Sequence, residues 1–163
     1  EAILADHRVA PAGLGARDAL RLEAGLPLYG ADLGPDISAV EAGLPWAIPK
    51  VRRTGGARAG GFPGAAVILA QIARGAPRCK AGLRPEGRAP MRAGTALFDA
   101  EAGGAALGAV TSGGFGPSLG APVAIALLDA GVPGDAMLWG EVRGRRLPAR
   151  QAALPFVPHD YKR

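Results

Sequence analysis

Residue types that build covalent or metal-centred sites are scarce in this sequence of 163 residues. Cys79 is its one cysteine, so no disulfide can form within the chain and cysteines cannot cluster around a metal ion. His7 and His159 are the two histidines, which are too few for a histidine-rich metal site. We therefore expect no metal site, and the lone cysteine fits the reducing bacterial cytoplasm.

Long apolar runs and aromatic residues are also scarce. No run approaches the roughly 20 apolar residues that span a bilayer, and no segment has the pattern of a secretory signal peptide, so we expect no membrane partner. Aromatic residues make up 5% of the chain, and no recognised nucleic-acid motif is present, so the net charge of +5 favours an acidic protein partner over nucleic acid. The sequence opens without methionine on what reads as the tail of a helix, so we expect a fragment.

Short apolar segments separated by turn residues dominate the second half of the chain. The predicted strands are residues 79–84, 96–98, 105–111, 123–128, 137–143 and 147–153. Their spacing is typical of a small antiparallel barrel or sandwich. Ser112 to Gly114 could bring the backbone close to a ligand or neighbour, but a barrel turn is the simpler interpretation. Arg143, Arg145 and Arg146 flank a hairpin glycine and are expected to be solvated.

The segment 13–33 predicts a short amphipathic helix, a glycine stop and then an apolar strand at 26–29. Ala16, Ala19 and Leu20 share one face at helical spacing. Gly25 stands where a left-handed C-cap belongs, and the proline that follows at position 27 blocks continuation of the helix.

Arg17 is the unusual residue of this helix. It lies in the first turn, where the macrodipole disfavours a cation by roughly 0.3–1 kcal/mol, and Asp18 offsets part of that. A guanidinium held there could be aimed at an acceptor on a ligand, as a fork of fixed donors. The alternative is an exposed arginine paired with Glu23 or with solvent. Asp18 and Glu23 are expected to cap the helix or to carry surface charge.

Two further segments precede the strands. Residues 49–61 form a basic, glycine-rich loop, which is either a solvated connector or a cationic patch for a partner. Residues 62–75 are the clearest predicted helix, because apolar residues recur at helical spacing and Gly75 ends the run. The apolar stripe, which we expect to pack in the core, consists of Ala65, Ile68, Leu69 and Ile72.

A series of distinct motifs follows one after another across nearly the whole chain. They are GLGARDALRLEAGLPLYG (13–30), VEAGLPWAI (40–48), GGFPGA (60–65), GLRPEGRAPMRAG (82–94), VTSGGFGPSLGAPVA (110–124), EVRGRRLPAR (141–150) and PFVPHDY (155–161). Through these motifs the chain closely resembles the glycine cleavage T-protein family, the tetrahydrofolate-dependent aminomethyltransferases. The resemblance covers the C-terminal portion of the family, somewhat under half of a full-length member.

The resemblance implies an α+β fold. Residues 1–75 would be the C-terminal remnant of the folate-binding aminomethyltransferase domain, and residues 76–163 a small antiparallel β-barrel. It also implies transfer of a one-carbon unit from the aminomethyl-lipoyl carrier (H) protein to tetrahydrofolate. The reaction releases ammonia and yields 5,10-methylenetetrahydrofolate. The family's catalytic carboxylate lies in its N-terminal part, so we assign no catalytic residue within this chain.

Four residues are candidates for folate binding. Arg17 matches the arginine of the family's Ala-Arg-Asp segment, and Tyr161 matches the tyrosine that closes its PFVP–x–x–Tyr ending. The resemblance implies that both contact tetrahydrofolate, which suits a guanidinium fork and a phenol on an apolar ring. Tyr29 and Trp46 are weaker candidates, because an aromatic residue beside a glycine turn is more often involved in packing.

Two alternatives stay open at this point. The chain could be the folate-binding domain of a dimethylglycine or sarcosine oxidising flavoenzyme, which has a similar LRLE–x–G helix. It could also be a non-catalytic folate-binding relative, such as an iron–sulfur assembly factor, which would need no lipoyl partner. The LYG strand, the VEAGLPW segment and the FVP–x–x–Tyr ending favour the T-protein.

Overall fold

A closed six-stranded barrel makes up the second half of the computed structural model, which describes residues 3–160. Its strands are β1 Arg78–Pro85, β2 Ala96–Phe98, β3 Ala106–Gly116, β4 Ala121–Asp129, β5 Met137–Val142 and β6 Arg145–Ala152. The order around the barrel is β1-β4-β3-β2-β5-β6, and β6 pairs with β1 to close it. All neighbouring strands are antiparallel, which confirms the predicted barrel.

Strand β4 is buried on both of its faces. Side chains alternate along a strand, and in β4 Ala124, Ala126 and Leu128 join the larger core cluster, whereas Val123 and Ile125 join a second cluster with Leu22. A strand that faces water on one side would carry polar residues at every second position. The apolar sequence of β4 from residue 121 to residue 128 therefore shows that something covers its outer face.

The cover is supplied by the first helix and the end of the chain. Helix α1 spans Leu14–Glu23, and its residue Leu22 packs with Phe156 over the outer face of β4. Gly25 has a φ of 66°, which confirms the predicted left-handed cap after the helix. Three short 3-10 turns lie outside the barrel at Ile3–Ala5, Pro45–Ala47 and Lys50–Arg52.

Two local expectations near the helix and in β3 are wrong. Residues 26–29 form no strand, because the Leu28 carbonyl accepts the N–H groups of Ala31, Asp32 and Leu33 and curls the backbone into a turn. Ser112 to Gly114 form no turn either, since they lie within β3 just after a bulge. The backbone does lie close to a neighbouring segment here, which was the alternative expectation. A Cβ at Gly113 would lie 1.8 Å from the Met91 carbonyl oxygen.

Helix α2 spans Ala65–Arg74, but its apolar stripe is not part of the core. None of its residues is buried, and the four residues of the stripe are half-buried and belong to neither core cluster. The helix packs against the irregular segment before it, where the Ser38 hydroxyl donates to the Gln71 amide oxygen. The stripe predicted the helix correctly, but the expectation that it lies in the core is wrong.

The hairpin arginines differ from one another. Arg143 and Arg145 are exposed as expected, and Arg143 takes a left-handed φ of 52° at the turn. Arg146 is not simply solvated, because its guanidinium lies 3.6 Å from the centroid of the Phe98 ring and donates to the Ala100 carbonyl. Cation–π stacking and the hydrogen bond fasten the loop after β2 to β6.

Candidate functional site

A buried salt bridge fixes α1 on the barrel. The Arg21 guanidinium donates to Asp18 Oδ1 at 2.8 Å, to Asp32 Oδ2 at 2.5 Å and to Ser112 Oγ at 2.9 Å. Five N–H donors in a rigid fork allow one arginine to hold three elements at once. The helix can therefore neither rotate nor slide without breaking this set of contacts.

Asp32 is the acceptor at the centre of this network. Its side chain is 1% exposed, and besides Arg21 it accepts the backbone N–H of Leu28 at 2.9 Å and the hydroxyl of Thr111 at 2.5 Å. Both carboxylate oxygens therefore have partners, as burial of a charge requires. No local pattern in the sequence predicts this role, because Thr111 lies 79 positions away from Asp32.

Glu23 fastens a second point of the helix. Its carboxylate accepts the backbone N–H groups of Ser118 and Leu119 at 2.8 and 3.1 Å and the Ser118 hydroxyl at 2.8 Å. Its own carbonyl accepts the N–H groups of Phe156 and Val157 at 2.9 and 3.1 Å. The expectation of a helix-capping or surface charge is wrong, because Glu23 is 3% exposed and joins the β3–β4 turn to the C-terminal segment.

Arg17 has the opposite environment. It lies one turn before Arg21 on α1 and is exposed, and among residues 3–160 no group forms a hydrogen bond or ion pair with its guanidinium. The suggested pairing with Glu23 is wrong, since that carboxylate is buried against Ser118. A rigid helix thus presents an arginine whose donors are all available.

Arg17 stands between two concave surfaces. One, of about 520 Å³, is of mixed character and is also lined by Arg21, Arg92 and Ser112. The other, of about 620 Å³, is apolar and is lined by Leu14, Leu20 and Leu26, among others. The helix face predicted from Ala16, Ala19 and Leu20 therefore faces outward, with Leu20 64% exposed.

The remaining candidate residues lie elsewhere or outside the described part. Tyr29 is 73% exposed and Trp46 is 74% exposed, and neither lines the two surfaces beside Arg17. Trp46 instead borders a separate cavity beside Lys80. Tyr161 lies outside the described residues. His159, two positions before it, has its Nε2 atom 3.2 Å from the Ala24 carbonyl oxygen at the end of α1.

The basic loop is held together by two of its own arginines. Arg53 donates to the carbonyls of Ile48 at 2.9 Å and Pro45 at 2.7 Å, and Arg52 donates to the Gly60 carbonyl at 3.1 Å. Lys50 and Arg58 are exposed. The loop is therefore ordered by hydrogen bonds within itself and to the turn before it, and its outward charge comes from the two exposed residues.

The described residues contain neither a metal-binding cluster nor a helix that could span a membrane. Over positions 3–160, no group of three or more His, Cys, Asp or Glu side chains could hold a metal ion. Over the same span, no helix has the length and hydropathy needed to cross a bilayer.

Comparison with known proteins connects this geometry to a family. Residues 78–158 match the model described as the glycine cleavage T-protein C-terminal barrel domain, and residues 2–52 match the GCVT N-terminal domain. The chain is 44% identical to the mitochondrial aminomethyltransferase of Gallus gallus, over 99% of this chain and 40% of that protein. It is 40% identical to an aminomethyltransferase of Corynebacterium aurimucosum, over 95% of this chain and 40% of that protein.

A solved structure gives the same result. The glycine cleavage system aminomethyltransferase T of Bartonella henselae superposes with a TM-score of 0.83 at 45% identity, covering 95% of this chain and 42% of that one. The chain therefore spans about two fifths of the length of the relatives it matches. These relatives are named as aminomethyltransferases, which supports the first of the three functions considered from the sequence. The chain belongs to the glycine cleavage T-protein family.

Proposed function

We propose that this chain forms the C-terminal part of a tetrahydrofolate-dependent aminomethyltransferase and supplies one wall of its folate site. The observation that carries the proposal is the free guanidinium of Arg17 beside the apolar concavity of Leu14, Leu20 and Leu26. Tetrahydrofolate combines an elongated aromatic body with a carboxylate tail. An arginine fork suits the tail, and an apolar wall suits the body.

The rigidity of α1 supports a binding role for Arg17. A side chain that must order itself on binding loses about 0.5–1.5 kcal/mol of affinity. The network of Arg21 and Asp32 fixes the helix backbone before any ligand arrives, so that loss is confined to the Arg17 side chain itself. Arg21 and Asp32 thus position Arg17 through the backbone of the helix.

Tyr161 is the second proposed contact. The preceding residues Phe156 and His159 are held at the C-terminal end of α1, and two extended residues span at most about 7 Å. Arg17 lies two turns earlier on the same helix, roughly 10 Å along its axis. With the lengths of both side chains added, the guanidinium and the phenol can reach one ligand.

The chemistry assigned to this chain is binding and exclusion of water. In the proposed reaction the one-carbon unit passes from the aminomethyl-lipoyl carrier to tetrahydrofolate, which supplies the accepting nitrogen atoms. Orientation of two large ligands can account for much of such a rate acceleration.

We keep residues 1–75 and 76–163 as the two domains, because one matched family model ends at residue 52 and the other begins at residue 78. The exposed, unpaired Cys79 is compatible with the bacterial cytoplasm, where we place the protein.

Binding of tetrahydrofolate to the purified chain tests the Arg17 assignment. We expect Arg17→Gln to weaken binding about tenfold by isothermal titration calorimetry, because a charge-assisted hydrogen bond is worth about 1.5–3 kcal/mol. Arg88→Gln is the matched control, since Arg88 is also exposed and lies in the turn after β1. Equal affinities for the wild type and Arg17→Gln would reject the assignment.

We further propose that the basic loop helps to dock the lipoylated carrier protein, provided that this carrier is acidic. Lys50 and Arg58 are the groups with outward charge, whereas Arg52 and Arg53 hold the loop together. Charge reversal at Arg52 or Arg53 would therefore disturb the structure of the loop as well as its electrostatic field. The informative variant is Lys50→Glu/Arg58→Glu.

Association kinetics test this docking surface. Steering by rim charges acts on the association rate and weakens with salt. We expect the double variant to associate several-fold more slowly with the carrier at low ionic strength and nearly normally at high ionic strength. Arg88→Glu/Arg145→Glu, at two exposed arginines in the turn after β1 and at the start of β6, makes the same change in net charge and is the control. An unchanged association rate at low ionic strength would refute the docking role.

A further inference from the structure

A third cavity, of about 550 Å³, lies between the end of α1 and the edge where β1 meets β6. Its walls are largely apolar and include Leu26, Leu44, Trp46 and Leu154. The volume falls within the range of about 300–1,000 Å³ that is typical of small-molecule sites. The cavity does not include Arg17, although it shares Ala24 and Leu26 with the apolar concavity of the proposed folate wall.

Lys80 supplies the cation of this cavity. Its backbone N–H donates to the Glu41 carbonyl at 2.8 Å, which fixes β1 against the segment before it. The side chain passes close to Gly43, where a Cβ would lie 3.3 Å from Lys80 Cε. The ammonium reaches the Gly25 carbonyl at 3.5 Å, the limit of a hydrogen bond. An ammonium has three donors, so this long contact uses little of its capacity.

No anion balances this ammonium within the cavity. Among the described residues that line it, none is an aspartate or a glutamate. The Asp32 carboxylate favours the charged lysine from a distance, but its oxygens already accept from Arg21, Leu28 and Thr111. Burial outweighs this attraction and lowers the pKa of Lys80 below its ordinary value. A ligand anion placed beside Lys80 would offset that desolvation.

We propose that this cavity binds a small carboxylate with an apolar body. Lys80 holds the carboxylate, while Trp46 and Leu26 contact the apolar part. A carboxylate is favoured over a neutral ligand because the ammonium offers unused donors, and over a cation because the bordering side chains carry no negative charge. The proposal goes beyond the folate site, and its test uses no folate, so either proposal can fail without the other.

Octanoate is a suitable probe, with octylammonium and octanol as matched compounds of the same chain length. We expect octanoate to bind the wild-type chain in calorimetric titrations and to bind Lys80→Met about tenfold more weakly, the value of a modest charge-assisted hydrogen bond. Arg145→Met, which removes an exposed cation at the start of β6, should leave the affinity unchanged. Octylammonium should bind the wild type at least about tenfold more weakly than octanoate.

Fluorescence locates the probe. Trp46 borders the cavity, whereas the second tryptophan, Trp139, lies in β5 and does not. Octanoate should change the emission of the wild type, and Trp46→Phe should lose this change. Circular dichroism establishes that Lys80→Met is folded, and Lys80→Arg, which keeps the charge, should retain most of the affinity.

Two results would overturn the proposal. One is equal octanoate affinity in the wild type and folded Lys80→Met, which would show that Lys80 does not hold the anion. The other is equal binding of octanoate and octylammonium to the wild type, which would show a merely apolar cavity. The second comparison needs no variant, so it decides the question even if Lys80→Met does not fold.

Discussion

Replacing Asp32 with alanine should destabilise the protein severely. Asp32→Ala leaves the Arg21 guanidinium, the Thr111 hydroxyl and the Leu28 N–H without their shared acceptor. Loss of one partner of a buried ion pair costs about 3–5 kcal/mol. Arg21 is 11% exposed and keeps its contacts with Asp18 and Ser112, so we expect the lower end of that range, about 3 kcal/mol.

Urea unfolding monitored by far-UV circular dichroism measures this loss. The midpoint should fall without a change in the denaturant slope, as expected for an altered free energy of unfolding. Asp135→Ala is the matched control, because Asp135 is exposed in the loop before β5, and it should change stability by less than about 0.5 kcal/mol.

A double-mutant cycle separates the ion pair from general damage. Arg21→Met/Asp32→Ala removes both charges, so it leaves no unpaired guanidinium near the barrel. We expect its loss of stability to be smaller than the sum of the two single losses by at least about 1 kcal/mol. Strict additivity, or a loss of under about 1 kcal/mol for Asp32→Ala alone, would refute the assignment of Asp32 as the central acceptor.

Three other predictions follow from the same structure. Gly113→Ala should lower the free energy of unfolding by about 3 kcal/mol, because its Cβ would lie 1.8 Å from the Met91 carbonyl oxygen; Gly131→Ala, with open space at its Cβ, is the control in the same urea titration. For Glu41, burial raises the carboxyl pKa, but Arg78 and Ser38 outweigh it, and the pKa lies below its reference of 4.5. The stabilisation from this carboxylate is present above pH 4.5 and is lost as the pH falls through the lower pKa of the folded state. Glu41→Gln should therefore make the melting temperature depend less on pH in this acidic range. An unaltered dependence of the melting temperature on pH would contradict this. The purified chain should release little ammonia in a coupled assay, because it spans about two fifths of its relatives, and robust release would overturn that expectation.

Local signals were enough to predict much of the fold. Gly25 and the apolar spacing after Gly13 predicted α1, and turn residues separated the six strands, because caps and turns depend on near neighbours in the sequence. The prediction of a strand at residues 26–29 was wrong. The Leu28 carbonyl accepts several N–H groups, and this local turn forms in spite of the apolar pattern that is typical of a strand.

The polar centre of the molecule could not be predicted in this way. Asp32 contacts Thr111 across 79 positions of sequence, and Glu23 contacts Ser118 across 95. The spacing of apolar residues along the sequence carries no information about contacts between residues so far apart. One signal was available for Glu23, since a carboxylate near a helix C-terminus is opposed by the macrodipole and therefore needs a compensating partner. The α2 stripe shows the converse, because periodicity predicts an apolar face without predicting what covers it.

The return of the C-terminal segment to α1 has a consequence for biosynthesis. His159 and Ala24 meet across 135 positions, and Phe156 closes the apolar surface of Val123 and Ile125. During translation, the helix emerges long before the segment that completes its packing. Such long-range contacts form late, so the part of the β4 outer face that Phe156 covers stays exposed to water until Phe156 has left the ribosome. A nascent chain stalled just short of Phe156 would thus be a good substrate for chaperones and a poor one for assembly.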